Sequence, residues 1–290
     1  MSEILHWSTG LHDYKKHTLD ASKFSTTITE CEVETGREIH QIFNDHLSGR
    51  QTSKVEILYS GGTDSELVLQ SCIKNNIPFE VMTMVIKTNG LILNTTDLYY
   101  SEKFCREHNI KQNLFYFDPI EFYESGKYLE YLLPYYIDEP HVASHFWLIE
   151  QCSNYPIIGG DWPWVQMHRK VLSPSRLSYN SYEKFMQSKG IDGIGNMVGY
   201  SFESSCKFIE LHMKHYTNNI PVPYLKQKMY DIEPRLRSYG WEQSSPDIFN
   251  IKKYKVELLK RIGTIKPEIT WGDKIATLIG STTNTNSLFA

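Results

Sequence analysis

The chain is 290 residues long and sets 30 Lys and Arg against 34 Asp and Glu, a formal net charge of −4. Nothing global therefore argues for a nucleic-acid partner, although local basic patches stay open. The 40% hydrophobic and 22% charged content is that of a folded soluble chain, enough for one large domain or two small ones. No apolar run is long enough to cross a bilayer, and the opening MSEILHWSTG lacks the basic region and apolar core of a signal peptide. Cys31, Cys72, Cys105, Cys152 and Cys206 are scattered, with no CxxC pair, so we expect reduced, buried thiols in a cytoplasm.

Residues 1–30 read as polar and irregular. Ile39, Ile42, Phe43 and Leu47 recur at helical spacing and predict a helix over Glu34–Leu47. VEILY, from Val55, is a strand, and Leu69, Cys72 and Ile73 mark the buried side of a following helix. Phe79–Ile86 is a second apolar strand; TTDLYYSEKFCREHN is a helix with a Thr cap before Asp97; Gln112–Phe117 is a third strand. HVASHFWLIEQC is a helix, and Tyr155–Asp161 a fourth strand with its own glycine turn. Alternating strands and amphipathic helices predict a parallel sheet covered on both faces, with ligands beyond the carboxyl ends of the strands. Both glycine turns fall there. Past Leu177 the strand signal fades and residues 180–280 read as mostly helical, ending in a polar tail. The expected division is a lead-in at 1–50, an α/β core at 51–177 and a mostly helical part at 178–290.

The informative stretch is Ser60-Gly61-Gly62-Thr63-Asp64-Ser65, between the first apolar strand and its helix. Glycines at such a turn let backbone N–H groups converge, and with the helix N-terminus they form an anion nest. Ser60, Thr63 and Ser65 add hydroxyls. Asp64 would repel phosphate unless Mg²⁺ bridges the two. The turn lacks the lysine of a Walker loop, and GxGxxG is absent. It resembles the SGGxDS loop of the PP-loop ATP pyrophosphatases, a match expected by chance about once per million starting positions at average usage. The resemblance implies a Rossmann-like, adenine nucleotide alpha hydrolase-like domain that binds ATP and splits it between the α and β phosphates.

Further segments resemble the synthetase domain of asparagine synthetases, over roughly residues 33–280. Asp138-Glu139-Pro140 precedes a helix and a strand that ends at Gly159-Gly160-Asp161; Ile220–Leu236 looks like the family's Val-Pro-Phe-Leu-Asp return; the segment from Lys252 to Lys274 looks like its Lys-Tyr helix and following lysine. The resemblance implies an ATP-dependent amide ligase. Ser60, Gly61, Gly62, Thr63 and Ser65 would surround the β and γ phosphates, with Gly159 and Gly160 beside them and Asp64 on Mg²⁺. Leu58 and Met82–Val85 would flank adenine, Asp161 would accept the proton, and Lys274 would stabilise charge growing on pyrophosphate. Its substrates would be a small-molecule carboxylate and an amine or ammonia, the latter supplied by a separate protein, because residue 2 is Ser and no glutaminase domain precedes the strand. The family's acidic pair after the second turn is replaced by Trp162-Pro163-Trp164, which either lines a substrate pocket or packs. The alternatives are a PP-loop enzyme modifying a nucleobase or tRNA, and a nucleotide-binding relative without catalysis.

Other features have plainer readings. His141 and His145 stand at zinc spacing without a third ligand. The basic run from Lys252 to Lys266 fits phosphate neutralisation, a solvated face or a nucleic-acid patch. The aromatics of Tyr128–Ile137 fit a core better than a base-stacking platform.

Overall fold

The computed structural model describes residues 2–9, 13–20, 26–47, 54–160, 165–167, 170–172, 178–198, 200–215 and 248–264. Strands β1 (Ser2–Thr9) and β2 (Asp13–Asp20) pair antiparallel, from Ser2↔Asp20 to Thr9↔Asp13. The expectation of an irregular N-terminus is corrected here. Adjacent Ile4 and Leu5 break the alternation that marks a strand, so only the β-forming residues Ile, Trp, Thr and Tyr signalled it. Helix α1 (Ile28–Ile42) starts earlier than predicted. Its start is fixed by a capping box, in which the Thr27 N–H donates to the Glu30 carboxylate at 2.7 Å and the Thr27 hydroxyl accepts the Glu30 N–H at 3.3 Å. The helix runs into a π-helical turn, Phe43–Leu47.

Strand β3 (Val55–Leu58) is buried along its whole length. Helix α2 (Thr63–Lys74) leads to β4 (Phe79–Thr88), which pairs parallel to β3 from Val55↔Phe79 to Leu58↔Met82. The two-residue β5 (Leu91–Ile92) folds back on the end of β4. Helix α3 (Thr95–Glu107) follows, and β6 (Gln112–Phe117) pairs parallel on the other edge of β4. The N-cap of α3 is Asn94 and not the predicted Thr, and its amide is engaged elsewhere: Oδ1 accepts the Ile86 N–H and Nδ2 donates to Met84 O. Three helices, α4 (Pro119–Glu124), α5 (Lys127–Leu132) and α6 (Val142–Glu150), bring the chain to β7 (Tyr155–Ile158), which pairs parallel to the free edge of β3.

The parallel order is thus β6-β4-β3-β7. The chain builds outward from β3 in one direction and then returns to add β7 on the other side, so the order reverses between β3 and β7. The predicted α/β parallel-sheet class is what the structure shows. Successive β3 residues feed two cores. Val55 and Ile57 pack with Ile39, Val68, Cys72 and Phe104, and Leu58 packs with Ile86, Phe117 and Phe146. Burial on both faces is why VEIL reads as a continuous apolar run with one exception. That exception, Glu56, is 1% exposed, and its carboxylate accepts the N–H groups of Ser153 at 3.0 Å and Asn154 at 2.8 Å, fixing the turn into β7.

Short strands β8 (Val165–Met167) and β9 (Lys170–Leu172) complete a second sheet of order β2-β1-β8-β9. Three-residue strands carry too little sequence to show a period, and the sequence reading missed them. Beyond them come α7 (Ser178–Ser188), α8 (Phe202–His215) and α9 (Ile251–Thr264), helical as expected. Phe185 of α7 stacks on Phe146 of α6 at 4.1 Å and 7°, and Tyr254 and Leu258 of α9 enter the same core. Helices α7 and α9 therefore share a core with the α/β sheet. Tyr128 and Tyr131 are buried in it, which answers the question raised by the aromatic run.

Candidate functional site

The Ser60–Ser65 turn stands at the carboxyl end of β3, beside the point where the strand order reverses, which is where parallel α/β sheets bind ligands. The backbone entering it is held on both sides. Tyr59 N–H donates to Met82 O at 2.9 Å, and Thr83 Oγ1 donates to Tyr59 O at 2.9 Å. Gln112 Nε2 in turn bonds Thr83 Oγ1 at 2.8 Å and Ser101 Oγ at 3.0 Å, and Tyr59 OH donates to Glu66 at 2.5 Å. None of these supporting side chains stood out in the sequence, because each is an ordinary polar residue in an apolar strand or helix.

Gly61 has φ +80°, the left-handed region, and a Cβ there would lie 2.5 Å from Asp97 O at the start of α3. Both facts require glycine. Gly62 is the N-cap of α2, extended, with no side-chain cap bond. Ser60 and Gly62 are exposed; Thr63, Asp64 and Ser65 are partly so. The first turn of α2 thus presents its dipole and backbone N–H groups at an open edge, with hydroxyls on either side.

The second glycine turn closes on the first. A Cβ on Gly159 would sit 2.6 Å from Ser65 N and 2.8 Å from Asp64 C. The two turns that the sequence singled out are therefore in backbone contact, with no room between them for a side chain at Gly159. Gly160, at φ +83°, is equally restricted, since a Cβ there would lie 2.7 Å from Asn196 Cα. Asn196 belongs to a segment that extends the sheet beyond β7: Ile194 N–H donates to Pro156 O, Ile158 N–H to Ile194 O, Met197 N–H to Ile158 O and Val198 N–H to Gly159 O. The sequence reading missed this segment. Its only signal was Gly193-Ile194-Gly195-Asn196, too short to count as a strand.

Of the residues expected to flank a base, Leu58, Met82 and Val85 are core residues at 8%, 3% and 3% exposure, and Met84 is the one partly exposed. Asp161, Trp162, Pro163, Trp164 and Lys274 lie outside the described residues, as does the segment Ile220–Leu236. Lys253 and Lys255 of α9 are each paired with a carboxylate, Glu124 at 3.5 Å and Glu139 at 2.7 Å.

The zinc reading finds no support. His145 is partly buried with Nδ1 2.6 Å from Tyr182 OH, and desolvation pulls its pKa down to about 3, so the ring is neutral. Among the described residues no group of three or more His, Cys, Asp or Glu is arranged to hold a metal ion. Burial raises the thiols of Cys31 and Cys105 to about 12 and 11, and those of Cys72 and Cys152 higher still, so these four are thiols and not thiolate nucleophiles. No helix among the described residues is long and apolar enough to cross a membrane.

No family model matches the sequence, and no curated protein matches it either. Solved structures do match. One is titled a predicted subunit of tRNA methyltransferase from Methanocaldococcus jannaschii, at 16% identity and a TM-score of 0.33, covering 53% of this chain and 72% of that one. Another is the U34-tRNA thiolase NcsA from Methanococcus maripaludis with its 4Fe-4S cluster, at 14% identity and a TM-score of 0.33, covering 90% and 88%. Both titles concern tRNA and neither an asparagine synthetase, and the expectation of an asparagine-synthetase-like amide ligase is corrected on that finding.

Proposed function

We propose that the chain is an ATP-dependent enzyme of the PP-loop type that activates a nucleobase carbonyl for modification, the alternative that the sequence itself left open. The observation that carries it is the SGGTDS turn: six residues of the right kind, in order, between a buried parallel strand and its helix, at the point of strand-order reversal. The turn fits a polyphosphate. It has a helix start without a side-chain cap, and glycines at the two positions where backbone comes close, Gly61 against Asp97 and Gly159 against Ser65.

In this reading the N–H groups of Gly62 to Ser65 and the hydroxyls of Ser60, Thr63 and Ser65 bind the β and γ phosphates. They hold pyrophosphate as it leaves, where preorganised donors matter most. Asp64, in the first turn of α2, would hold Mg²⁺, which would offset the negative charge of the phosphates. Met84 offers partly exposed apolar surface to the adenine. The carbonyl oxygen of the base forms a bond to the α-phosphorus while the α–β bond breaks, and the adenylated carbon then takes a nucleophile as AMP departs. The inert state of Cys31, Cys72, Cys105 and Cys152 favours a nitrogen nucleophile over sulfur carried on one of these cysteines.

The titles of the two matching structures make tRNA the first substrate to test. Purified protein would be incubated with Mg²⁺, α-labelled ATP and unmodified bulk tRNA. AMP formation that depends on the RNA supports the reading. AMP formation that ignores RNA removes the nucleobase, and ATP binding without cleavage in any mixture removes the enzyme.

A further inference from the structure

Glu183, on α7, is remote in sequence from both glycine turns. Its carboxylate accepts the backbone N–H of Gly195, and its Oε2 is buried with no hydrogen-bond partner. Gly195 immediately precedes Asn196, whose backbone and side chain occupy the space that Gly160 leaves empty. The same segment is tied to the second turn by Met197 N–H to Ile158 O at 2.9 Å and Val198 N–H to Gly159 O at 3.1 Å. Gly159 in turn lies against the backbone of Asp64 and Ser65. A continuous mechanical path thus runs from Glu183 through Gly195, Asn196 and Gly159 to the nucleotide turn. The first link is the carboxylate's bond to Gly195, and those beyond Asn196 are backbone hydrogen bonds or contacts too close for a Cβ.

We propose that Glu183 is a positioning residue for the nucleotide turn: by holding Gly195 it sets Asn196 against Gly160, and so the distance between the two glycine turns. Its effect on nucleotide rests on the reading of Ser60–Ser65 as an ATP site; its effect on the second turn does not. A buried carboxyl with one oxygen used and one bare is a costly way to hold a backbone N–H. A glutamine, with the same shape and the same acceptor oxygen, would hold it as well. Leucine would fill the space and leave the Gly195 N–H unpaired.

Two measurements on the intact chain test this. Magnesium-ATP affinity by calorimetry would be compared for the native protein, Glu183→Gln, Glu183→Leu and Asn196→Ala. Amide hydrogen exchange at Ile158, Met197 and Val198 would be followed without nucleotide. We expect Glu183→Leu and Asn196→Ala to weaken ATP about tenfold, the order set by one unpaired buried N–H, and to speed exchange at the three amides. Glu183→Gln should stay within about twofold of native in affinity, because the acceptor is kept. Native exchange in Glu183→Leu, or a Glu183→Gln variant as impaired as Glu183→Leu, overturns the proposal, as does faster exchange with native affinity. Should Glu183→Leu fail to fold, Asn196→Ala with native affinity and native exchange overturns it. If the native protein binds no ATP, the reading of the site fails, while the exchange contrast still decides whether Glu183 positions the second turn.

Discussion

Gly159 lies against the backbone of Ser65, so close that a Cβ on it would stand 2.6 Å from the Ser65 nitrogen. The contact joins two turns separated by nearly a hundred residues into one rim at the carboxyl end of β3 and β7. It also makes a prediction. Gly159→Ala must push the two turns apart, and overpacking of this kind costs about 1–3 kcal/mol. We expect ATP affinity to fall by about tenfold or more, beyond what the loss of thermal stability would account for, as read by calorimetric titration beside a melting curve. Native affinity in a folded Gly159→Ala protein would show that the rim is not part of the nucleotide site.

Asp64 offers a cleaner chemical separation. Asp64→Asn keeps size and hydrogen-bonding capacity but removes the charge that would hold Mg²⁺. The expected outcome is loss of Mg²⁺-dependent AMP formation by about a hundredfold or more, in line with removal of one electrostatic stabiliser. Metal-free ATP should bind as well as before, or better, since a carboxylate next to the phosphates is gone. Titrations with and without EDTA distinguish this from general damage to the turn.

The parts of the fold that were legible in the sequence are those where one residue type is demanded. β3, the turn and α2 could be read because a strand buried on both faces is continuously apolar and because only glycine serves at Gly61. The partnership of the two turns was guessed from the fold class alone, and its cause, the absence of a side chain at Gly159, became visible only when Ser65 was placed beside it. Asn196 and Glu183 were illegible. A five-residue extension of a sheet has no period, and a glutamate on a helix looks like solvent-facing charge. The hairpin Ser2–Asp20 was missed because a strand on an antiparallel sheet is recognised by alternation, which Ile4 and Leu5 interrupt. The asparagine-synthetase segments misled through local similarity of short apolar and Pro-containing stretches that many α/β proteins share.

Glu56 gives a test of the sheet itself. Its buried carboxylate accepts bonds from the backbone of Ser153 and Asn154, and Ser153 Oγ adds a third at 3.1 Å. Glu56→Ala strands two backbone N–H groups at the entrance to β7, at a cost of about 2–4 kcal/mol. Chemical denaturation should show that loss, and Glu56→Gln should recover part of it. An unchanged midpoint for Glu56→Ala would mean that water replaces the carboxylate without cost.

Buried ionisable groups give the stability a pH dependence with a definite sign. Burial raises Glu38, which bonds Ser201, and Glu183 from the ordinary 4.5 to about 7. The folded state therefore holds their protons more tightly than the unfolded chain does. The stabilisation is complete below about pH 4.5 and is lost as pH rises through about 7. Relative to the native protein, Glu38→Gln and Glu183→Gln should gain melting temperature progressively between pH 5 and pH 8. His145 acts the other way. Its folded value of about 3 lies below the ordinary 6.5, so the unfolded chain takes up a proton first and stability falls as pH drops from 6.5 toward 3. His145→Gln, which keeps a polar partner for Tyr182, should flatten that acid limb. Parallel melting curves for native and variant proteins across this range would contradict the burial of these groups.

The claim at the centre is that the Ser60–Ser65 turn holds pyrophosphate while ATP is cut between its α and β phosphates. Phosphorus NMR of the purified protein with Mg²⁺, ATP and unmodified tRNA tests it most directly. AMP and pyrophosphate, both absent in Asp64→Asn, are the predicted products. ADP and inorganic phosphate would contradict the account, because they would mean that the turn cradles a different bond for cleavage.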